Sequence, residues 1–247
     1  MNKLSLAVAV SLLALGTTAC KQQPAAQNDN PAAAPVQAPN GDWSQLVSQT
    51  TEGGMLMGNP QAKVKVVEFG SMTCHVCADF ATKDEPTLVN NYVKTGNVSF
   101  EFRNFVRDPL DIAMALITRC AGATPQFFTL TNGMYAEQKS FFDKIGAAPQ
   151  DQLQALQSLP PAQQFQRMAQ YAGVQEWAAQ RGLPSGKTSQ CLANQAEIDK
   201  IVQMNSDASS SYDIPGTPTF LVNGEEVKPT PGQSNWQALE AAIKAAQ

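Results

Sequence analysis

The sequence predicts an α/β fold in which a βαβ unit and a closing ββα unit are separated by a long helical insertion. Three observations carry this expectation. Residues 64–77 read Val-Lys-Val-Val-Glu-Phe-Gly-Ser-Met-Thr-Cys-His-Val-Cys, an apolar strand running straight into two cysteines separated by two residues. Residues 109–210 are glutamine-rich and mostly of helical spacing. Asn223-Gly224, the strongest short hairpin signal, joins residues 219–222 to 226–228, and Ser234-Asn-Trp-Gln237 then opens a last helix in the form of a capping box.

Taken in order, the chain starts with a short positive segment, Met1-Asn2-Lys3, and an apolar run from Leu4 to Leu15 that is too short for an ordinary bilayer-spanning helix. Small residues follow up to Cys20, so residues 1–19 read as a secretory signal peptide. Thr17-Thr18-Ala19-Cys20 resembles a bacterial lipobox, whose cysteine becomes a lipidated first residue, but Thr17 stands where leucine is typical. Lipidation of Cys20 and plain cleavage after Ala19 both stay open. Either way the expected compartment is the periplasm, with a membrane anchor if Cys20 is lipidated. Lys21 lacks the aspartate that usually marks inner-membrane retention, so inner and outer membrane are both left open. Removing residues 1–19 takes away one positive side chain, Lys3, and no acid, leaving 16 basic against 21 acidic residues and a net charge of −5. A nucleic-acid partner would want a basic face, and this balance argues against one.

Residues 20–42 are rich in Ala, Gln, Asn and Pro with hardly a large apolar side chain, and read as a disordered linker of roughly 25 Å mean span. The folded domain is expected over 43–247, beginning near Trp43. Leu46-Val47 and Met55-Leu56-Met57, separated by Gly53-Gly54, are placed to form a small hairpin, and Gly58-Asn59-Pro60 turns into the strand at Val64. The spacing of Phe80, Leu88 and Tyr92 predicts a helix from about Cys74 to Lys94, with a kink or break at Pro86. Val98 to Phe105 is a second strand, and a strand, helix and strand of these lengths require a parallel pair with a right-handed crossover.

Asp108-Pro109 is an N-cap followed by proline at the first helical position, and Leu110, Met114, Ile117 and Cys120 repeat on one helical face. Thr124-Pro125 repeats the start signal. Further helices are expected around 150–158, 161–172, 174–181 and 189–206, inside an insertion spanning about 109–210. The final helix shows Trp236, Leu239 and Ile243 on one face, for packing on the sheet.

The chemistry is concentrated at Cys74-His75-Val76-Cys77. When such a pair opens a helix, the first sulfur meets the positive helix end, which favours thiolate over thiol, so Cys74 is the reactive one. With Cys20 assigned to processing, Cys74, Cys77, Cys120 and Cys191 remain, and an even count in an exported chain reads as disulfides before metal ligands.

This order of elements is similar to the thioredoxin fold, and the 109–210 insertion sits where DsbA-like thiol:disulfide oxidoreductases carry theirs. Met57-Gly58-Asn59-Pro60, Val67-Glu68-Phe69, Thr73-Cys74-His75-Val76-Cys77 and Ile214-Pro215-Gly216-Thr217-Pro218-Thr219-Phe220 stand in family order. The resemblance implies that Pro218 is a cis-proline lying against the active pair with Thr217 before it, and that Glu68 is a buried acid beneath the cysteines, able to accept or relay the proton of Cys77. An exposed strand carboxylate is the alternative for Glu68. Between the cysteines, His75 is placed to donate to the Cys74 thiolate or to add positive charge; the family commonly has Pro-His there, and this chain has His-Val. The resemblance and the cysteine count favour a structural Cys120–Cys191 bridge, with two buried free thiols as the alternative.

The expected activity is that of a periplasmic enzyme without cofactor that exchanges a Cys74–Cys77 disulfide with the cysteines of exported proteins, as disulfide donor, and is reset by a membrane redox partner. A thiol reductase or disulfide isomerase reverses or redirects the same chemistry. From another class, a non-catalytic binding lipoprotein or a metal carrier is conceivable, but Cys74, Cys77 and the sole histidine, His75, offer at most three ligands where a tetrahedral structural site wants four.

Overall fold

The computed structural model describes residues 37–212 and 214–247. The expected signal peptide, Cys20 and most of the expected linker lie outside the described residues. Regular structure begins at Pro39–Gly41, a single 3-10 turn just ahead of Trp43; a second turn, Trp43–Gln45, is capped by the Asp42 carboxylate, which accepts from the Ser44 N–H at 2.9 Å.

Six strands form one mixed sheet in the order β1-β2-β4-β3-β5-β6, where β1 is Val47–Gln49, β2 Met55–Gly58, β3 Val64–Gly70, β4 Val98–Asn104, β5 Thr219–Val222 and β6 Glu225–Val227. Only β3 and β4 are parallel, as the βαβ reading requires, and all other neighbours are antiparallel. The β5–β6 hairpin turns on Asn223 and Gly224, which both adopt positive φ (50° and 90°), the backbone that a two-residue turn between twisted strands demands.

Both sheet faces are covered, and period-two alternation sorts the side chains between them. Val64 and Val66 of β3, Val98, Phe100 and Phe102 of β4, and Phe220 and Val222 of β5 enter the main core; Val67, Phe69 and Leu221 point into a smaller cluster closed by Ala208, Tyr212 and Ile214. Glu68 shares the parity of Val64 and Val66. It therefore falls on the main-core face.

Between β3 and β4 the chain forms α1 (His75–Lys83), α2 (Glu85–Leu88) and a five-residue π turn at Val89–Val93. The break falls at Asp84-Glu85-Pro86, where proline supplies no N–H to continue the ladder of α1. The insertion holds α3 (Pro109–Arg119), α4 (Pro125–Ala136), α5 (Gln138–Ala147), α6 (Gln150–Ala155), α7 (Pro161–Ala172), α8 (Val174–Ala179), α9 (Ser185–Leu192) and α10 (Gln195–Ser211). Helix α5 is absent from the sequence reading. The single helix expected around 189–206 is two helices, because Asn194 leaves helical geometry (φ −77°, ψ 96°) and caps α10 by accepting from the Glu197 N–H. Phe127, Phe128 and Tyr135 of α4 lay their rings against Phe100 and Phe102 of β4 at 5.9–6.5 Å, fastening the insertion to the sheet. The closing helix α11 (Asn235–Ala246) starts in the expected capping box, with Leu239 and Ile243 buried and Trp236 packed at the edge of the core.

Cys120, at the end of α3, and Cys191, in α9, are joined in a disulfide across 71 residues of sequence. Next to it the Arg119 side chain, wholly buried, donates to Glu197 of α10 at 2.5 Å, to Asn104 of β4 and to the Gly53 carbonyl before β2. The disulfide thus ties two helices of the insertion together, and Arg119 ties the insertion to the sheet.

Candidate active site

Cys74 is the N-cap of α1, with extended backbone (φ −91°, ψ 122°), and its sulfur receives the N–H of Cys77 at 3.4 Å. A hydroxyl or carboxylate is the usual side chain at such a position; here a sulfur faces the unpaired amides of the first turn. On its other side the Cys74 thiol donates to the Thr217 carbonyl at 3.1 Å, and the Thr217–Pro218 peptide bond is cis. Pro218, Thr217 and Cys74 are thus in one place although 143 residues separate Cys74 from Thr217 in the chain.

The two sulfurs differ sharply. The Cys77 thiol donating to Cys74, with further help from the amides of Cys77 and Val76, lowers the Cys74 pKa from 9.0 to about 5 despite the opposing effect of burial. Cys77 is completely buried, and burial, reinforced by the bond to Cys74 and by Glu68, pushes its thiol well above the ordinary range. One member of the pair ionises at neutral pH and the other keeps its proton. Cys74 itself is only 4% exposed, so its outward edge is what a visiting group meets.

That edge adjoins a groove of about 500 Å³ lined by Val76, Pro215, Pro218, Phe220, Val227 and Pro229 among others. The Thr217 hydroxyl is buried without a hydrogen-bond partner. His75 is exposed and makes no hydrogen bond to Cys74 among the described residues, so the expectation that its ring donates to the thiolate is not met: as the first residue of α1 it projects outward while the sulfur turns back to the amides.

Glu68 lies on the core side of β3, 1% exposed, with Oε1 unpartnered. Burial, with Glu85 and Cys74 nearby, raises its pKa well above the usual carboxyl value. The alternative of an exposed strand carboxylate is excluded by that burial. A second acid beneath the site, Glu85 of α2, was not singled out from sequence because it stands beside Pro86 at a helix start, where an acidic residue reads as a favourable dipole contact.

The sequence reading also missed the polar clamp on the loop 71–74. Asp111, fully buried in the first turn of α3, accepts from the Met72 N–H at 2.7 Å, the Ser71 hydroxyl at 2.6 Å and the Arg107 N–H at 3.0 Å. Burial pushes its pKa up to about 6. Tyr135 donates to the Ser71 carbonyl, and Gln138 of the unread α5 donates to the carbonyls of Met72 and Cys74. Three insertion helices therefore hold the reactive loop. Asp111 sits three residues beyond the Asp108 cap, a position that in sequence looks like ordinary helix capping; nothing there points across to Met72.

Among the described residues no group of three or more His, Cys, Asp or Glu is arranged to hold a metal ion. No described helix is long and apolar enough to cross a membrane.

The family described as Thioredoxin matches residues 50–245. A protein of Rickettsia felis that carries the provisional name protein-disulfide oxidoreductase is 23% identical over 203 residues, covering 81% of this chain and 61% of its own length; one of Rickettsia conorii is 24% identical, covering 70% and 54%. The chain thus spans somewhat over half the length of these curated relatives. Among solved structures, a protein-disulfide isomerase from Novosphingobium aromaticivorans is 32% identical with a TM-score of 0.69, covering 77% of this chain and 95% of that one. Wolbachia pipientis alpha-DsbA1, at 20% identity and a TM-score of 0.61, covers 80% and 92%, and shares the fold.

Proposed function

The chain belongs to the thioredoxin family, and from that premise we propose that it is a thiol:disulfide oxidoreductase of the DsbA-like type acting on exported proteins, with Cys74 as the exchanging sulfur. One observation carries the reading: Cys74 is at once the N-cap of α1, the neighbour of the Thr217 carbonyl at 3.1 Å, and ionised at neutral pH, while Cys77 behind it is not. A low-pKa sulfur beside the Thr217–Pro218 backbone and an open groove of mixed apolar and polar lining suits an extended peptide carrying a cysteine.

In the donor direction, a substrate thiolate attacks the Cys74 sulfur of the Cys74–Cys77 disulfide. The bond between the two cysteines breaks, and Cys77 leaves and takes up a proton, which Glu68, a buried acid that acts electrostatically on it, is placed to supply. A second substrate thiolate then attacks the substrate's own sulfur, and Cys74 departs as the stabilised thiolate. The substrate is oxidised by two electrons and the enzyme pair reduced. Resetting requires a redox partner, which we place at a membrane in the periplasm, with Cys20 as a lipid anchor where the lipobox-like signal is processed so.

The 32% identity to a protein named for isomerase activity favours a second reading, in which the reduced pair reshuffles substrate disulfides. The redox state of the pair in cells separates the two, closed for a donor and reduced for an isomerase; equilibration with glutathione then separates a donor, near about −120 mV, from a reductant, near about −270 mV. Cys77→Ser should accumulate mixed disulfides through Cys74 in cells. If none form, the exchange reading fails, and the chain is a binding module with inert cysteines.

A further inference from the structure

Cys77 has no exposed surface, and Cys74 above it is nearly covered even without a bound peptide. A proton that Cys77 loses or gains while a substrate sits on Cys74 cannot travel by the groove beside Pro218. Glu68 acts electrostatically on Cys77, but it too is buried, and its Oε1 has no partner. The interior does not end there. Glu85 is 4% exposed, accepts from Nδ2 of Asn132 at 2.7 Å, and acts electrostatically on Glu68. It also lines a second cleft of about 250 Å³ together with the exposed Gln45, Pro86, Asn90 and Thr129 and the half-buried Asn132; this cleft shares no residue with the Pro218 groove.

We propose that Glu85 passes the Cys77 proton between Glu68 and the water of this second cleft, so that the buried thiol exchanges protons with solvent while substrate occupies Cys74. The inference rests on the exchange reading above. Glu85 acts through Glu68 and touches neither sulfur's substrate. A carboxyl that merely filled space between α2 and α4 would be leucine at far less cost, since burying an ionisable group is expensive without a cation to pair it. Among the described residues no lysine, arginine or histidine pairs with either acid. The groups that titrate against the pair are Cys74 and Cys77 of α1 and Tyr135 of α4. Burial places Glu85 at about 7, partly offset by the Asn132 bond, so it gains and loses its proton at working pH.

The balance is complete for closure of the pair by glutathione disulfide. Cys74 thiolate attacks the disulfide and releases one glutathione as thiolate. Cys77 then attacks the Cys74 sulfur; the Cys74–Cys77 bond forms, the bond to the second glutathione breaks, and that thiolate takes its proton from water. The Cys77 proton goes to the Glu68 carboxylate, whose own proton has left by Glu85 to the cleft. The dithiol loses two electrons and the glutathione disulfide gains them.

Two measurements on the full chain test this, with Glu85→Gln, which keeps the Asn132 contact, and Glu85→Asp, which keeps the acid. Carboxyl carbon-13 titration should show the Glu68 midpoint falling by roughly one pH unit in E85Q, because a neighbouring negative charge is gone. At saturating glutathione disulfide, the rate of the unimolecular closure, followed by acid quench and mass analysis, should rise through about pH 7 in the parent chain. In E85Q that inflection should vanish and the rate above pH 7 fall about tenfold, with E85D restoring the inflection. An unchanged Glu68 midpoint and unchanged pH profile in E85Q overturn the relay alone. A parent chain that does not close its disulfide with glutathione overturns the exchange reading, and the relay with it.

Discussion

Reducing the pair exposes the energetics of the Cys74 thiolate, and pH is the cleanest perturbation of it. Its folded pKa of about 5 against an ordinary 9.0 means that ionisation favours the reduced folded state. A depressed pKa contributes stability that is fully present above the unfolded value and is lost as pH falls through the folded one. At pH 7, about two units above one and two below the other, the contribution is about 3 kcal/mol, rising to about 5 kcal/mol above pH 9 and vanishing below about pH 5. The disulfide form has no thiolate to stabilise, so at pH 7 the reduced form gains about a hundredfold, equivalent to a pair about 60 mV more oxidising than one with an ordinary thiol. The assay is equilibrium denaturation of the reduced chain from pH 4 to 9, read as the difference from reduced Cys74→Ala so that other titrating groups cancel, alongside thiolate absorbance near 240 nm. A Cys74 midpoint at or above about 8, or a Cys74→Ala chain whose stability follows the parent across this range, refutes the reasoning.

Three further outcomes follow from the same geometry. Glu68→Gln should stabilise the fold at pH 7, since a buried acid with a raised pKa costs stability once pH exceeds its ordinary value of 4.5; thermal melting should show a higher midpoint than the parent at pH 7 and the gain shrinking toward zero at about pH 4. Asp111→Ala strips an acceptor from the Ser71 hydroxyl and the Met72 and Arg107 amides, and should cost roughly 3 kcal/mol in denaturant titrations while raising the Cys74 midpoint, as the loop loses its hold on α1. A midpoint unmoved by that change would separate loop positioning from fold stability. Replacing Cys120 and Cys191 together by alanine opens a loop of 71-residue separation and should cost about 4 kcal/mol of unfolding free energy, measured against the parent under oxidising conditions.

The Asn223-Gly224 hairpin and the Ser234 capping box were legible because each is specified by neighbours within a few residues, and the parallel β3–β4 pair because alternation marks each strand locally and the intervening helix requires a crossover. Cys74 and Cys77 were legible for the same reason, since their spacing alone puts one sulfur at a helix start. Pro218 was legible only through its motif, because nothing in residues 214–220 by themselves says that a sulfur 143 residues away will lie beside them. The helix break at Asn194 was missed where a weak cap competed with continuing apolar periodicity. Asp111, Gln138 and Glu85 were missed because the roles their positions suggest, helix-capping acid and surface polar residue, are common and cheap; what distinguishes them is burial.

By itself the sequence determined the order of the strands along the chain, the helical character of the insertion, the reactive pair and which of its sulfurs comes first. Only the tertiary structure decided the face of Glu68, the clamp that three helices place on the loop 71–74, and the wide separation between the acidities of Cys74 and Cys77. The division has one cause. Periodicity and capping act through bonds along the chain, whereas desolvation and hydrogen bonding at a buried sulfur depend on groups that only packing brings within a few ångströms.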